Sequence, residues 1–265
     1  MAIIAKSLRL FDVLKSNPLE FYDRVRAITT VQLDRFFRKP PRHAPISWDL
    51  LIRNPGAITG HDLSNYLSEP HLQQIEEAVL RRIDGLPSDA PFHRGHNGDI
   101  SLARLCYAIC RAMRPETALE TGTCYGVTSA FILKALEVNA QGVLHSIDLP
   151  PLGKDGDKHV GRLIPEELKT RWRLYRGISG RVLPPLLSRL GIIDLFIHDS
   201  LHTYSNMKME FTHAWTALRP GGVLIADDVE GNVAFQELAA RPDVECSFAL
   251  QQQKDSVLAV AVKCA

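Results

Sequence analysis

The sequence has neither a large charge excess of one sign nor a long hydrophobic run. Its 31 lysines and arginines are balanced by 30 acidic residues, so it lacks the basic surplus that would neutralise many phosphates of a nucleic acid. No apolar run reaches the roughly 18 residues of a membrane helix, and Lys6 interrupts the N-terminus too early for a secretory signal. These absences predict a cytoplasmic protein with a small-molecule substrate and without a nucleic-acid or membrane partner.

Cysteine is sparse and shows no paired pattern. No Cys-x-x-Cys motif occurs, and an odd number of cysteines without such spacing indicates free thiols in a reducing compartment. The five positions are Cys106, Cys110, Cys124, Cys246 and Cys264.

The first third of the chain has the periodicity of helices. Apolar residues recur at helical spacing over 7–37 and are interrupted at Asn17-Pro18, which predicts two amphipathic helices. A further helix is expected over 71–83, after which glycines and prolines mark a boundary, and a second domain should begin near His96. We expect residues 1–95 to form either a lid over the substrate pocket or a homodimer contact, because amphipathic helices must bury their apolar stripe.

Beyond that boundary, short β-rich runs alternate with helical stretches, which is the pattern of an α/β fold with a parallel sheet. Helices are expected between the first five runs but not between the last two, so the sheet should close with an antiparallel hairpin. The seven predicted strands cover residues 117–120, 143–148, 172–175, 192–198, 223–226, 246–250 and 257–262.

A loop with two glycines follows the first predicted strand and opens the next helix. It reads Glu120-Thr121-Gly122-Thr123-Cys124-Tyr125-Gly126-Val127-Thr128. Gly122 permits a tight turn, and Gly126 permits a close approach of the helix to a ligand. The middle glycine of the dinucleotide motif Gly-x-Gly-x-x-Gly is missing, so no cradle for a pyrophosphate is evident. The Glu120 carboxylate would repel a phosphate and suits a cationic ligand.

An acid also ends the second predicted strand. Asp148 follows Glu120 by 28 residues, and an acid there can accept hydrogen bonds from both hydroxyls of a ribose. The alternative is that Asp148 caps a helix before Pro150.

These motifs resemble those of the class I S-adenosylmethionine-dependent methyltransferases. The resemblance covers residues 96–263 and includes Glu-x-Gly-x-x-x-Gly-x-Thr, Asp148, Gly177-Ile-Ser179 and a Pro-Gly-Gly segment before the fifth strand. It implies a Rossmann-like fold, in which a closing antiparallel hairpin is typical, and S-adenosylmethionine as cofactor. Gly177 and Ser179 would lie beside the adenine, although they also fit an ordinary helix cap. The residues implied for cofactor binding are Glu120, Thr121, Gly122, Thr123, Gly126, Thr128, Asp148, Gly177, Ser179 and Asp199.

Three acids follow the fourth and fifth predicted strands, namely Asp199, Asp227 and Asp228. The carboxyl ends of neighbouring parallel strands face one crevice, where three carboxylates would repel one another without a cation. All-oxygen ligation suits Mg²⁺ or a similar divalent ion, so we expect a metal at these three residues. The alternative is that Asp199 contacts only cofactor or substrate and that Asp227-Asp228 cap the following helix.

His202 lies three residues after Asp199. The segment resembles bacterial O-methyltransferases of sugars and natural products, and also the catechol O-methyltransferase type, in which a lysine at this position takes the hydroxyl proton. The resemblance implies Asp199 and His202 as catalytic residues, with His202 as the general base, since an imidazole with a pKa of about 6.5 can accept a proton at pH 7. The alternative for His202 is a capping or surface role, and His198 is expected to point to the opposite face and only pack.

The predicted activity is therefore methyl transfer to a hydroxyl of a sugar, phenol or other natural product. The alternatives are a metal-independent N- or O-methyltransferase of the same fold, a nicotinamide dehydrogenase, and a non-catalytic binding protein. The missing glycine motif and the predicted hairpin count against the dehydrogenase. The absence of an Asn/Asp-Pro-Pro-Tyr/Phe segment after the fourth strand disfavours methylation of adenine in nucleic acids.

Overall fold

The structure is a computed structural model, and it describes most of the chain. The described residues are 10–37, 43–52, 58, 60, 62–87, 91–92, 98–153, 155–253 and 255–265. The predicted boundary near His96 lies outside them. None of the helices within these ranges is long and apolar enough to cross a membrane.

The strands confirm the predicted α/β fold. They are β1 (Thr117–Thr121), β2 (Val143–Asp148), β3 (Trp172–Arg176), β4 (Ile193–His198), β5 (Leu218–Ala226), β6 (Val244–Gln251) and β7 (Val257–Lys263). Within the described ranges they form one seven-stranded sheet in the order β3-β2-β1-β4-β5-β7-β6. The first five strands are parallel, and β7 pairs antiparallel with both β5 and β6. The hairpin is thus inserted with β7 inside the sheet and β6 at its edge.

β5 begins five residues earlier than predicted. β5 starts at Leu218 because Leu218 pairs with Ile193 across an irregular register, ahead of the Pro-Gly-Gly segment. Proline and glycine are poor strand formers, so the sequence pattern alone places the start at Val223.

The helices follow the predicted alternation. They are α1 (10–16), α2 (Pro18–Phe37), α3 (Trp48–Ile52), α4 (Ser64–Leu67), α5 (Pro70–Asp84), α6 (Ile100–Met113), α7 (Val127–Val138), α8 (Ser179–Leu190), α9 (Tyr204–Ala217) and α10 (Ala234–Ala239). The predicted interruption at Asn17-Pro18 and the predicted helix over 71–83 are confirmed. Proline 18 starts α2 because the first turn of a helix does not need its backbone N–H.

Two apolar layers cover the sheet, one on each face. Alternate residues of β4 separate them, since Leu195 packs with the layer that contains α6 and α7, and Phe196 packs with the layer that contains α8 and α9. α5 belongs to the first layer through Leu72, Ile75 and Val79. This packing leaves the carboxyl ends of the parallel strands as the edge at which loops can build a site.

Candidate functional site

A cavity of about 610 Å³ lies at the carboxyl ends of the parallel strands. Its position agrees with the general rule that α/β sheets bind ligands at this edge, where the strand order reverses beside β1. The predicted site residues that line it are Gly122, Asp148, Gly177, Ser179, Asp199, His202, Asp227 and Asp228. Most of the predicted site residues therefore lie around one cavity.

Asp148 forms one wall of the cavity at the end of β2. Its Oδ2 accepts a hydrogen bond from the backbone N–H of Cys124 at 2.6 Å. Burial raises the pKa of the Asp148 carboxyl above its usual range, against the effect of backbone N–H groups of Cys124, Leu149 and Thr123. The carboxylate is thus fixed to the glycine loop while it faces the cavity, as an acceptor for ligand hydroxyls should be.

The two loop glycines both lie close to other parts of the protein. Both have positive φ, +88° at Gly122 and +89° at Gly126. A Cβ on Gly122 would lie 1.9 Å from the carbonyl oxygen of Asp199, so this glycine lets two loops meet backbone to backbone. A Cβ on Gly126 would lie 2.8 Å from the side chain of Ile164 and 2.9 Å from Gly161. The predicted close approach of helix to ligand at Gly126 is therefore a close approach of helix to protein.

Glu120 lies inside the protein, next to the cavity wall but not in it. Its Oε2 accepts hydrogen bonds from Ser129 at 2.6 Å and Ser146 at 2.9 Å. The Oγ1 of the buried Thr128 has no hydrogen-bond partner among the described residues. Burial raises the pKa of Glu120 to about 7, against the opposing effect of the two serines. Glu120 therefore does not line the cavity but lies behind the glycine loop.

The remaining predicted cofactor residues, Thr121 and Thr123, are also buried and do not line the cavity. Thr121 Oγ1 donates to Glu210 Oε2 at 2.6 Å, and the carbonyl oxygen of Thr123 accepts the N–H of Gly126 at 2.7 Å. Both residues therefore shape the loop from within.

The opposite wall carries the acids that follow β4 and β5. Asp199, His202 and Asp227 each offer one ligand atom, and these atoms lie within 4.8 Å of one another. His202 Nε2 is 3.8 Å from Asp199 Oδ1. Two carboxylates and an imidazole at this spacing form a donor set that can hold a divalent cation.

Asp228 differs from the prediction. Instead of joining Asp199 and Asp227, its Oδ2 lies 3.1 Å from His202 Nδ1. The turn after β5 explains this, because Asp228 adopts φ +50° in the left-handed region and its side chain is redirected from that of Asp227. The capping alternative is not supported either, since the Asp228 side chain makes no capping bond to the short helix Val229–Gly231.

The capping alternatives for two other residues also fail. Thr203, not His202, caps α9, where its side chain accepts the N–H of Asn206. The residue before α8 is Ile178, and Ser179 Oγ donates instead to Asn206 Oδ1 at 3.2 Å.

Sequence reasoning missed several residues that support the site. Gln252, in the turn between β6 and β7, is buried and donates from Nε2 to Asp227 Oδ1. His198 is buried as predicted, but its ring lies 5.3 Å from that of His202, and its Nδ1 is 2.6 Å from Glu210 Oε2. No local motif marks Gln252, because it follows Asp227 by 25 residues.

α2 contributes Arg26, Ala27 and Thr30 to the cavity wall. It is joined to the rest of the protein by Asp23, whose Oδ2 accepts from Arg181 Nε at 2.9 Å, and by Asp34, whose Oδ1 accepts the N–H of Tyr204 at 3.0 Å. α2 therefore spans from the start of α8 to the start of α9 across the cavity.

Known proteins resemble this chain in sequence over part of its length and in fold. Residues 119–229, which carry the glycine loop, Asp148, Asp199 and His202, match the family described as a methyltransferase domain. Over residues 119–229 the chain is thus similar to a methyltransferase domain. No curated protein matches the sequence significantly.

Solved methyltransferases share the fold at low sequence identity. The O-methyltransferase TomG of Streptomyces achromogenes, involved in tomaymycin synthesis and solved with S-adenosylmethionine, is 21% identical, with a TM-score of 0.55 over 75% of this chain and 91% of that one. An O-methyltransferase of Bacillus cereus, solved with S-adenosylhomocysteine, is 17% identical, with a TM-score of 0.52 over 74% and 91%. The S-adenosylhomocysteine-bound methyltransferase PaMTH1 of Podospora anserina is 14% identical, with a TM-score of 0.52 over 76% and 94%. Each of these structures shares the fold over about three quarters of this chain, which is more than residues 119–229.

Proposed function

We propose that this methyltransferase transfers the methyl group of S-adenosylmethionine to a hydroxyl of a small molecule, assisted by a divalent cation. The observation that carries the proposal is the convergence of Asp199, His202 and Asp227 on one wall of a cavity whose other wall presents Asp148. O-methyltransferases among the proteins of similar fold support the choice of a hydroxyl acceptor.

The cofactor half of the cavity fits S-adenosylmethionine. Asp148 would accept the ribose hydroxyls, and Gly177 and Ser179 line the neighbouring wall, where the adenine is expected. When bound, the cofactor supplies an electrophilic methyl group on a sulfonium.

The acceptor half fits a divalent cation. Asp199 and Asp227 would hold it, and Gln252 keeps Asp227 oriented through its hydrogen bond. When bound, the cation supplies a positive charge that favours the ionised form of an acceptor hydroxyl. The acids can accordingly lie close together without the repulsion that would otherwise separate them.

His202 would act as the general base. Asp228 Oδ2, at 3.1 Å from Nδ1, favours the tautomer with a proton on Nδ1, which leaves Nε2 to accept the hydroxyl proton. Asp199 and Asp227 would orient the acceptor oxygen toward the methyl group, and alignment of the reacting atoms provides a large part of the rate enhancement in such transfers.

Calorimetry tests the two halves separately. We would titrate metal-free protein with S-adenosylhomocysteine and with Mg²⁺ or Mn²⁺, and repeat the titrations on Asp148→Ala and His202→Gln. Loss of hydrogen bonds to a charged carboxylate should weaken S-adenosylhomocysteine binding about 10- to 100-fold in Asp148→Ala. Asp155→Ala is the matched control, because Asp155 is exposed and forms its ion pair with the exposed Lys158.

The results separate the competing roles. No binding of S-adenosylhomocysteine to the unaltered protein would overturn the proposed methyl transfer. If His202→Gln still binds the cation, His202 is available as the base; if the cation is lost, the imidazole is a ligand, and the proposed base is wrong.

A further inference from the structure

A buried carboxylate that the proposed chemistry does not use lies directly beneath the acceptor half. Glu210, on α9, is wholly buried. Its Oε2 accepts from Thr121 Oγ1 at 2.6 Å and lies 2.6 Å from His198 Nδ1. Its Oε1 accepts from Ser200 Oγ at 2.7 Å and from Asn206 Nδ2 at 2.9 Å. One carboxylate thus contacts the ends of β1 and β4, the loop after β4 and the first turn of α9.

Two of these donors are the neighbours of Asp199 in sequence. His198 precedes it and Ser200 follows it, so Glu210 restrains the backbone on both sides of this acid. The N–H of Asp199 also donates to the carbonyl oxygen of Thr121, another residue that Glu210 contacts, at 2.8 Å. The position of Asp199 therefore depends on the same carboxylate through three routes.

The loop that ends at His202 is restrained by the same network. Asn206 Nδ2, which donates to Glu210, also donates to the carbonyl oxygen of Leu201 at 3.0 Å and to Ser200 Oγ at 3.1 Å. Leu201 immediately precedes His202. Asn206 and Ser200 themselves line the cavity, so the network reaches the wall that an acceptor would contact.

Charge makes Glu210 suited to this arrangement. Burial alone would raise its pKa, but attraction to His198 and hydrogen bonds from its neighbours lower the pKa of Glu210 to about 2. An ionised carboxylate only accepts hydrogen bonds, and bonds to a charged acceptor are stronger than those between neutral groups. The ionised Glu210 carboxylate can therefore accept hydrogen bonds from all of the surrounding donors at once.

We propose that Glu210 is a positioning residue that holds the 199–202 loop, and with it Asp199 and His202, in the arrangement needed for methyl transfer. The nature of the chemistry it positions rests on the proposed function. The positioning itself does not.

Hydrogen exchange tests the positioning without reference to activity. Glu210→Gln keeps the size of the side chain but turns N–H groups toward donors, and Glu210→Asp keeps the charge but shortens the reach. Loss of charge-assisted bonds should accelerate amide exchange in a peptide covering 199–206 by about tenfold or more in both variants. Exchange in β5 and α7 should accelerate no more than the loss of global stability, measured by urea denaturation, accounts for. Unchanged exchange over 199–206 in both variants would overturn the proposal.

Calorimetry with Mn²⁺ tests whether the loop arrangement matters for the site. Loss of an outer-shell partner typically weakens metal binding about 10- to 100-fold, and we expect a loss of this size in both variants. Binding of S-adenosylhomocysteine should weaken less, because Asp148 is held by the glycine loop. If Glu210→Asp kept full Mn²⁺ affinity, charge alone would matter and the positioning role would be wrong.

The matched control is Asp194→Asn, at the opposite end of β4. The Asp194 carboxylate accepts the N–H groups of Glu116 and Thr117, both at 2.9 Å, and pairs with Arg219. We expect this variant to lose stability without faster exchange over 199–206. If the unaltered protein binds neither S-adenosylhomocysteine nor Mn²⁺, the proposed function fails, while the exchange rates still decide the role of Glu210.

Discussion

A wholly buried glutamate lies behind each half of the cavity, and the pKa values of the two glutamates are shifted in opposite directions. Glu120, under the cofactor half, has a pKa raised to about 7 by burial, which two serine hydroxyls offset only in part. Glu210, under the acceptor half, is equally buried, but His198 and further donors lower its pKa to about 2. Burial alone therefore does not decide the charge of a core carboxylate; the number and charge of its donors do.

The largest expected effect is on stability when each carboxylate is removed. Glu210→Ala should lower the free energy of unfolding by about 3–5 kcal/mol, because it removes a buried, ionised acceptor and leaves several buried donors without a partner. Glu120→Ala should cost about 1–3 kcal/mol, because it leaves neutral hydroxyls without an acceptor. Urea denaturation of both variants at pH 7 measures the difference, and equal losses would contradict the contrast between the two halves.

The pH dependence of stability sharpens the same contrast. Because the pKa of Glu120 is raised to about 7 from an ordinary value of 4.5, the folded protein holds a proton that the unfolded chain releases. The resulting stability is complete below pH 4.5 and is lost as the pH rises to about 7, by an amount on the order of 3 kcal/mol. Glu120→Gln should lack this loss while keeping an acceptor for both serines. Parallel stability profiles of the two proteins between pH 4 and about 8 would show that Glu120 is ionised throughout.

A smaller and more local effect is expected on the acceptor side. Gln252→Leu removes the donor to Asp227 Oδ1 and should weaken Mn²⁺ binding about tenfold, as loss of outer-shell partners commonly does. Gln251→Leu, at the exposed neighbouring position, is the control. Calorimetry should find the cofactor half unaffected by either change.

The smallest effect is expected at the ion pair that joins α2 to the cofactor side. Asp23→Asn should cost no more than about 1 kcal/mol of stability, because the Arg181 side chain is 40% exposed and solvent screens such pairs. The loss should shrink further at high salt, as measured by urea denaturation. A loss of several kcal/mol, independent of salt, would show that the buried Asp23 carboxylate matters more than the pair.

The fold could be predicted closely because its signals are local. Alternating apolar runs and helix patterns located the strands to within a few residues, and Pro18 marked the start of α2. The exception was β5, where pairing between Leu218 and Ile193 overrides the poor strand propensity of Pro-Gly-Gly.

The site was predictable where side chains follow strand ends and not where distant segments meet. Asp148, Asp199 and Asp227 end their strands, so topology alone brings them to one edge. The orientation of Asp228 depends on one backbone angle, and the contact of Gln252 depends on how a hairpin folds back. Neither is encoded in local spacing.

The contact at Gly122 also has a consequence for recombining this enzyme with others. Gly122 packs against the carbonyl oxygen of Asp199 with no room for a side chain. The glycine loop and the loop after β4 are therefore complementary in shape. Chimeras that exchange one loop alone would pair surfaces that were not shaped for each other. A loop graft that is meant to change the preferred acceptor should therefore transfer residues 120–126 and 198–203 together.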